Sequence, residues 1–136
     1  MPDENFILHP IGRIRSALRA LEDAPRQGNE GGPDAWVELD AAYLPALADL
    51  APGDQIVLIT FLHRADRSVL KTHPRNDPAL PLTGVFATRS PDRPNPVGLH
   101  RVVVREVASA RLLVGPIEAI DGTPVVDIKP VLHGDD

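Results

Sequence analysis

The chain has 136 residues, 14 basic against 19 acidic side chains and a net charge of −5, with 43% apolar and 24% charged residues. That length and balance suit a single globular domain, residues 1–136, and exclude a disordered or fibrous chain. No uncharged apolar run approaches the roughly 20 residues that cross a bilayer. The Met1-Pro2-Asp3-Glu4 start is neither basic nor apolar, and cysteine is absent, so membrane insertion, secretion, disulfides and thiolate metal sites are not expected and a cytoplasmic protein is.

The 15 prolines each remove a backbone donor and fix φ, which leaves little room for long helices. A first strand is expected from Phe6-Ile7-Leu8 past Pro10 to Ile14, with Gly12 hinting at a bulge. Residues 21–33, with Pro25, Gly28, Gly31, Gly32 and Pro33, read as a long irregular connection of the kind that often carries function. Trp36 to Leu39 reads as a short strand, and Leu44 to Leu50 as a two-turn helix with Pro45 in its first turn and Pro52-Gly53 as its stop. Gln55 to Leu62 is β-branched, apolar and of strand length, and is expected to be the central buried strand, ending at His63. Further strands are expected at Ser68–Thr72, Val85–Thr88, Leu99–Val107, Leu112–Val114 and Val125–Ile128. Many short strands without alternating helices predict a mainly β fold, a barrel or sandwich with one or two short helices.

Charge is uneven. Residues 60–105 hold eight basic and three acidic side chains, leaving six basic and sixteen acidic elsewhere, so an anionic ligand could be drawn to the middle segment; solvated strand faces explain such a cluster equally well. The most unusual stretch runs from Gly84 to Leu99, where Pro91, Pro94 and Pro96 push the residues before them toward extended conformations. Ser90, Arg89, Arg93 and Asn95 would then be held in a stiff recognition loop; a rigid strand connection is the plainer reading. Asp127 and Lys129 alternate with Val126 and Ile128 and share one strand face. Asp121-Gly122 is an ordinary turn signal. His9, His63, His73, His100 and His133 are scattered, with no zinc spacing, phosphate loop or dinucleotide fingerprint, so no metal is expected.

Pro10-Ile11-Gly12-Arg13-Ile14-Arg15-Ser16, Ala24-Pro25-Arg26-Gln27-Gly28, Gly84 to Leu99, and Asp121 to Pro130 together resemble the TsaA-like family, also called YaeB or TrmO, in the family's order and across almost the whole chain. The resemblance implies a small TsaA-like β-barrel that binds S-adenosylmethionine, forms a homodimer, and methylates the exocyclic amine of threonylcarbamoyladenosine beside the tRNA anticodon; DNA and membranes are not implied partners. It places the cofactor site on Pro25, Arg26 and Gln27, on His63 and Arg64, on Arg89 and Leu99, and on Gly115, Pro116, Ile117 and Glu118. Arg93 and Asn95 are then assigned to the acceptor side. An amide-like nitrogen must lose a proton during attack, and Asp127, Lys129 and His63 are the candidate groups. The sequence departs from the family's usual pattern at Arg64, at Glu118 in place of Asp, at His100 in place of Ser and at Val131 in place of Tyr, and Asp136 is expected to end the chain without the C-terminal domain of longer bacterial members. The alternatives are a cofactor-binding protein without tRNA activity and a small-molecule methyltransferase of the same fold.

Overall fold

The computed structural model describes residues 4–20, 24, 25 and 31–132. Among them are eight strands: β1 (Gly12–Arg15), β2 (Ala35–Leu39), β3 (Gln55–Phe61), β4 (Lys71–Thr72), β5 (Thr83–Gly84), β6 (Val97–Ala108), β7 (Arg111–Gly115) and β8 (Pro124–Pro130). Six close into a barrel in the order β1-β2-β7-β6-β3-β8, every neighbouring pair antiparallel, while β4 and β5 pair only with each other as a separate arm.

The expected central strand is β3, hydrogen-bonded to β6 on one side and β8 on the other. Its inward residues Ile56, Leu58 and Thr60 are fully buried. On β6 the two-residue period of a strand sends Gly98, His100, Val102 and Val104 inward and leaves Leu99 and Arg101 exposed. Ile56, Leu58, Val102 and Val104 meet Ile14, Val37, Leu112, Val114 and Val125 from the other strands and Ile117 and Ala119 from the β7–β8 connection in one core. The β6–β7 pairing shifts register between Val104 and Glu106, a bulge that lets a long strand follow the curve of a small barrel.

Four expected elements differ. Phe6, Ile7 and Leu8 form no strand and are 84%, 79% and 64% exposed; pairing starts only at Gly12, because β2 and β8 offer partners from Leu39 and Val125 onward. Ser68–Thr72 contributes only the two residues of β4, and Val85–Ala87 is a 3-10 turn, since the peptide there bonds locally (Thr88 N–H to the Val85 carbonyl) and has no neighbouring strand to join. The expected helix lies earlier, as a 3-10 helix at Ala41–Leu47, because the Asp40 carboxylate accepts from the Ala42 amide and caps it there.

Gly12 sits against the backbone of Glu38 and Leu39, so any Cβ at this position meets main chain that cannot swing away. Gly12→Ala is expected to lower stability by about 2–3 kcal/mol, read as an earlier urea midpoint with an unchanged slope; an unaltered midpoint would show that the β1–β2 approach is not fixed by this glycine.

Candidate functional site at one end of the barrel

Because all barrel pairings are antiparallel, the strand ends sort into two rims. β1, β3 and β7 finish where β2, β6 and β8 begin, so the connections 16–34, 62–96 and 116–123 share one end. The opposite end carries residues 40–54 and the tight β6–β7 turn. Pro25, His63, Arg64, Arg89, Arg93, Asn95, Pro116, Ile117 and Glu118 all lie in the three shared connections; Gly115 is the last residue of β7, and Leu99 is close to the start of β6. Arg26 and Gln27 fall in the first of these connections but outside the described residues, as does His133 at the C-terminus.

The three connections are bonded to one another. The Ile117 amide donates to the Pro33 carbonyl at 2.9 Å and the Asp121 amide to the Leu18 carbonyl at 2.6 Å. The Asp121 side chain accepts from the Ser16 amide at 3.0 Å and from the Arg19 guanidinium at 3.2 Å. Asp121, which read as a plain turn residue, therefore fastens the first connection to the third. The Arg64 guanidinium reaches the Arg19 carbonyl at 3.4 Å, and the Leu62 amide donates to the Pro96 carbonyl at 2.8 Å.

Within the proline-rich segment, two arginines hold the loop. Arg93 donates to the carbonyls of Val85, Thr88 and Ser90 at 2.8, 3.1 and 3.1 Å, so its guanidinium is engaged by the loop itself. Arg67, a residue the sequence reading passed over, donates to the Pro94 carbonyl at 2.7 Å and to Asn95 Oδ1 at 2.9 Å. It also stacks over Phe61, 5.6 Å from the ring centre. Proline removes donors, so the carbonyls it leaves unpaired become natural acceptors for arginine forks. By contrast, Arg89 is exposed and makes no hydrogen bond or ion pair with a described residue, so its charge remains available to a ligand carboxylate.

Asp127 and Lys129 do share an exposed face, where they pair with each other at 3.3 Å. Asp127 lies opposite Ile59 of β3, and so does Leu99 on the other side, which sets Asp127 and Leu99 level on the outer wall. Lys129 lies opposite Val57, farther from the loop-bearing rim. His63 stands at that rim, and its imidazole is held below its ordinary pKa first by desolvation and then by the positive charges of Arg64 and Arg13.

His100 and Glu118, two of the departures from the family pattern, are partners: Nδ1 of His100 is 2.5 Å from the Glu118 carboxylate and Nε2 is 2.6 Å from the Thr60 hydroxyl. Neither the strand period nor the spacing of 18 residues signals this pair; barrel closure alone creates it. A cleft of about 560 Å³ lined by Leu50, Asp54, Ile56, Arg101, Pro130 and Leu132 opens beside residues of the opposite end. None of the expected site residues lines it, so chemistry and not the size of that cleft marks the candidate site. No group of three or more metal-ligating side chains is present among the described residues.

Two outcomes test this geometry. Arg93→Ala is expected to cost about 2 kcal/mol and to expose residues 85–96 to proteolysis, while Arg93→Lys restores less than half, since a single ammonium cannot span three carbonyls. In NMR titration the His63 ring should show a midpoint below the ordinary imidazole value, rising toward it in Arg64→Ala. A folded-state pKa that is depressed means that the unfolded chain takes up the proton more readily, so His63 should make the fold slightly less stable as pH falls below about 6.5 and have no effect above.

Residues 13–136 match the tRNA-methyltransferase O N-terminal domain. A probable S-adenosyl-L-methionine-binding protein of Methanothermobacter thermautotrophicus is 38% identical over 130 residues, covering 96% of this chain and 93% of the relative. An S-adenosyl-L-methionine-binding protein of Archaeoglobus fulgidus is 37% identical over 124 residues, 91% of this chain and 88% of that one. The crystal structure of TrmO from Pseudomonas aeruginosa superposes with a TM-score of 0.77 at 31% identity, over 97% of this chain and 58% of that chain. The barrel, its order of motifs and these likenesses agree: the chain belongs to the family of the tRNA-methyltransferase O N-terminal domain.

Proposed function

We propose that the loop-bearing end of the barrel binds S-adenosylmethionine and serves methylation of the exocyclic amine of threonylcarbamoyladenosine next to the tRNA anticodon. The observation that carries this reading is the gathering of Pro25, His63, Arg64, Arg89, Leu99 and Glu118, far apart in sequence, at one rim. The residues fit the cofactor's chemistry. Arg89 offers a guanidinium that bonds to no described residue for its carboxylate, Leu99, 52% exposed, offers an apolar contact for adenine, and the Gly115–Glu118 segment offers the Glu118 carboxylate. Bound there, the cofactor supplies an activated methyl group. The chain's own part is to hold the acceptor nitrogen in line and to receive its proton, for which His63, kept neutral near pH 7, and Asp127, level with Leu99, are the better placed of the candidates.

Asn95, tied to Arg67, stays assigned to the acceptor side, and Arg93 acts there by shaping the loop. Leu70, Leu82 and Phe86, at 66%, 57% and 84% exposure on and beside the β4–β5 arm, offer an apolar surface for a second copy, which supports the homodimer. A second reading has its own observation: the chain spans less than three fifths of the solved TrmO chain but nearly all of the archaeal cofactor-binding relative. Cofactor binding without tRNA methylation matches the name of that relative, a probable S-adenosyl-L-methionine-binding protein.

Calorimetry should show saturable S-adenosylmethionine binding that weakens about 10- to 100-fold in Arg89→Ala with the fold intact, the loss of one charge-assisted contact. Nucleoside mass analysis of tRNA carrying threonylcarbamoyladenosine, incubated with protein and cofactor, decides between the readings. A methylated nucleoside establishes the first; cofactor binding with unmodified tRNA establishes the second. Light scattering that gives a monomer able to bind cofactor would remove the dimer from the proposal.

A further inference from the structure

Thr60, His100 and Glu118 form a polar line through an otherwise apolar interior. Thr60 is fully buried on β3, the His100 side chain on β6 is 4% exposed, and Glu118 in the β7–β8 connection keeps 18%. Both ring nitrogens of His100 are engaged, Nε2 with the Thr60 hydroxyl at 2.6 Å and Nδ1 with the Glu118 carboxylate at 2.5 Å. With Nδ1–H donating to the carboxylate, Nε2 accepts from the hydroxyl, so every partner is satisfied, and no buried side-chain polar atom among the described residues lacks one. Space for the line is kept by Gly98: a Cβ there would lie 2.6 Å from Thr60 Oγ1 and 2.8 Å from His100 Nε2. A glycine inside a strand usually weakens it, and here it admits the imidazole to the hydroxyl.

The line has one accessible end. Thr60 and His100 are too buried to touch a ligand, which rules out a nucleophilic hydroxyl despite the order carboxylate, imidazole, hydroxyl. Only Glu118 reaches the rim, one carboxylate oxygen bound by His100 and the other not used by that bond. A carboxylate so restrained at the edge of an apolar core is a fixed negative charge that loses little freedom on meeting a cation. With one oxygen engaged, it is poorly suited to a two-point grip on a ribose diol and well suited to a single positive centre.

We propose that Thr60 and His100 are positioning residues that hold the Glu118 carboxylate toward the positively charged sulfonium of the cofactor, so that this chain prefers S-adenosylmethionine to the uncharged thioether S-adenosylhomocysteine. This rests on the cofactor reading above and adds to it a source of discrimination between the substrate and product forms, which differ in charge at one atom. No bond is made or broken by these residues.

The test is calorimetry on the whole chain with the two compounds as probes. Wild type should bind S-adenosylmethionine more tightly; Glu118→Gln, which keeps shape and removes charge, should weaken it about tenfold and the thioether less than about twofold, so that the preference collapses. Thr60→Val, isosteric and lacking the hydroxyl, should reduce the preference in the same direction by a smaller factor, and Thr60→Ser should restore it. Thr60→Val carries the test of the line if His100→Leu does not fold. Equal weakening of both compounds by Glu118→Gln, or no weakening of either, overturns the proposal and leaves cofactor binding standing. A preference moved by Glu118→Gln but not by Thr60→Val overturns the positioning role. Wild type that binds neither compound refutes the cofactor site itself and the proposal with it.

Discussion

Antiparallel closure of six short strands is the constraint on which the rest of this molecule depends. In such a barrel successive connections alternate between the two rims, so every second connection collects at one end. Here those links are residues 16–34, 62–96 and 116–123, and the opposite rim carries residues 40–54 with their capped 3-10 helix and the tight β6–β7 turn. Residues nearly a hundred positions apart become neighbours without any of them being chosen for local structure.

The rim illustrates how a loop-rich site stays ordered with few regular hydrogen bonds of its own. Prolines remove donors and leave carbonyls in need of partners; Arg93 and Arg67 supply them with side-chain forks, and Asp121 accepts from two groups of the first connection. Side chains that are consumed in this way cannot also recognise a ligand. The ones left over, Arg89 above all, are the natural candidates for recognition, and the distinction between two arginines four residues apart is drawn by backbone carbonyls alone. The net positive middle segment thus divides into charges that build the loop and charges that face outward.

A polar line through a core this small is costly unless every member is satisfied, because burial strips each group of water. Thr60, His100 and Glu118 meet that condition by spanning two strands and a connection, which also ties residues 116–123 to the barrel wall.

Much of this protein was legible from its residues. The alternation of Asp127 and Lys129 in β8, the apolar β-branched run of β3 and the proline content identify a mainly β chain, and the Gly84–Leu99 and Asp121–Pro130 blocks identify its family. These are local properties, carried by period, propensity and short motifs. Tertiary structure alone decided the rest. Phe6-Ile7-Leu8 has strand composition and no partner among the described residues; Arg93 builds and Arg89 remains free among the described residues; and His100 meets Glu118. Each of these outcomes depends on which groups the closing barrel brings within hydrogen-bond reach, a long-range fact that no window of sequence contains.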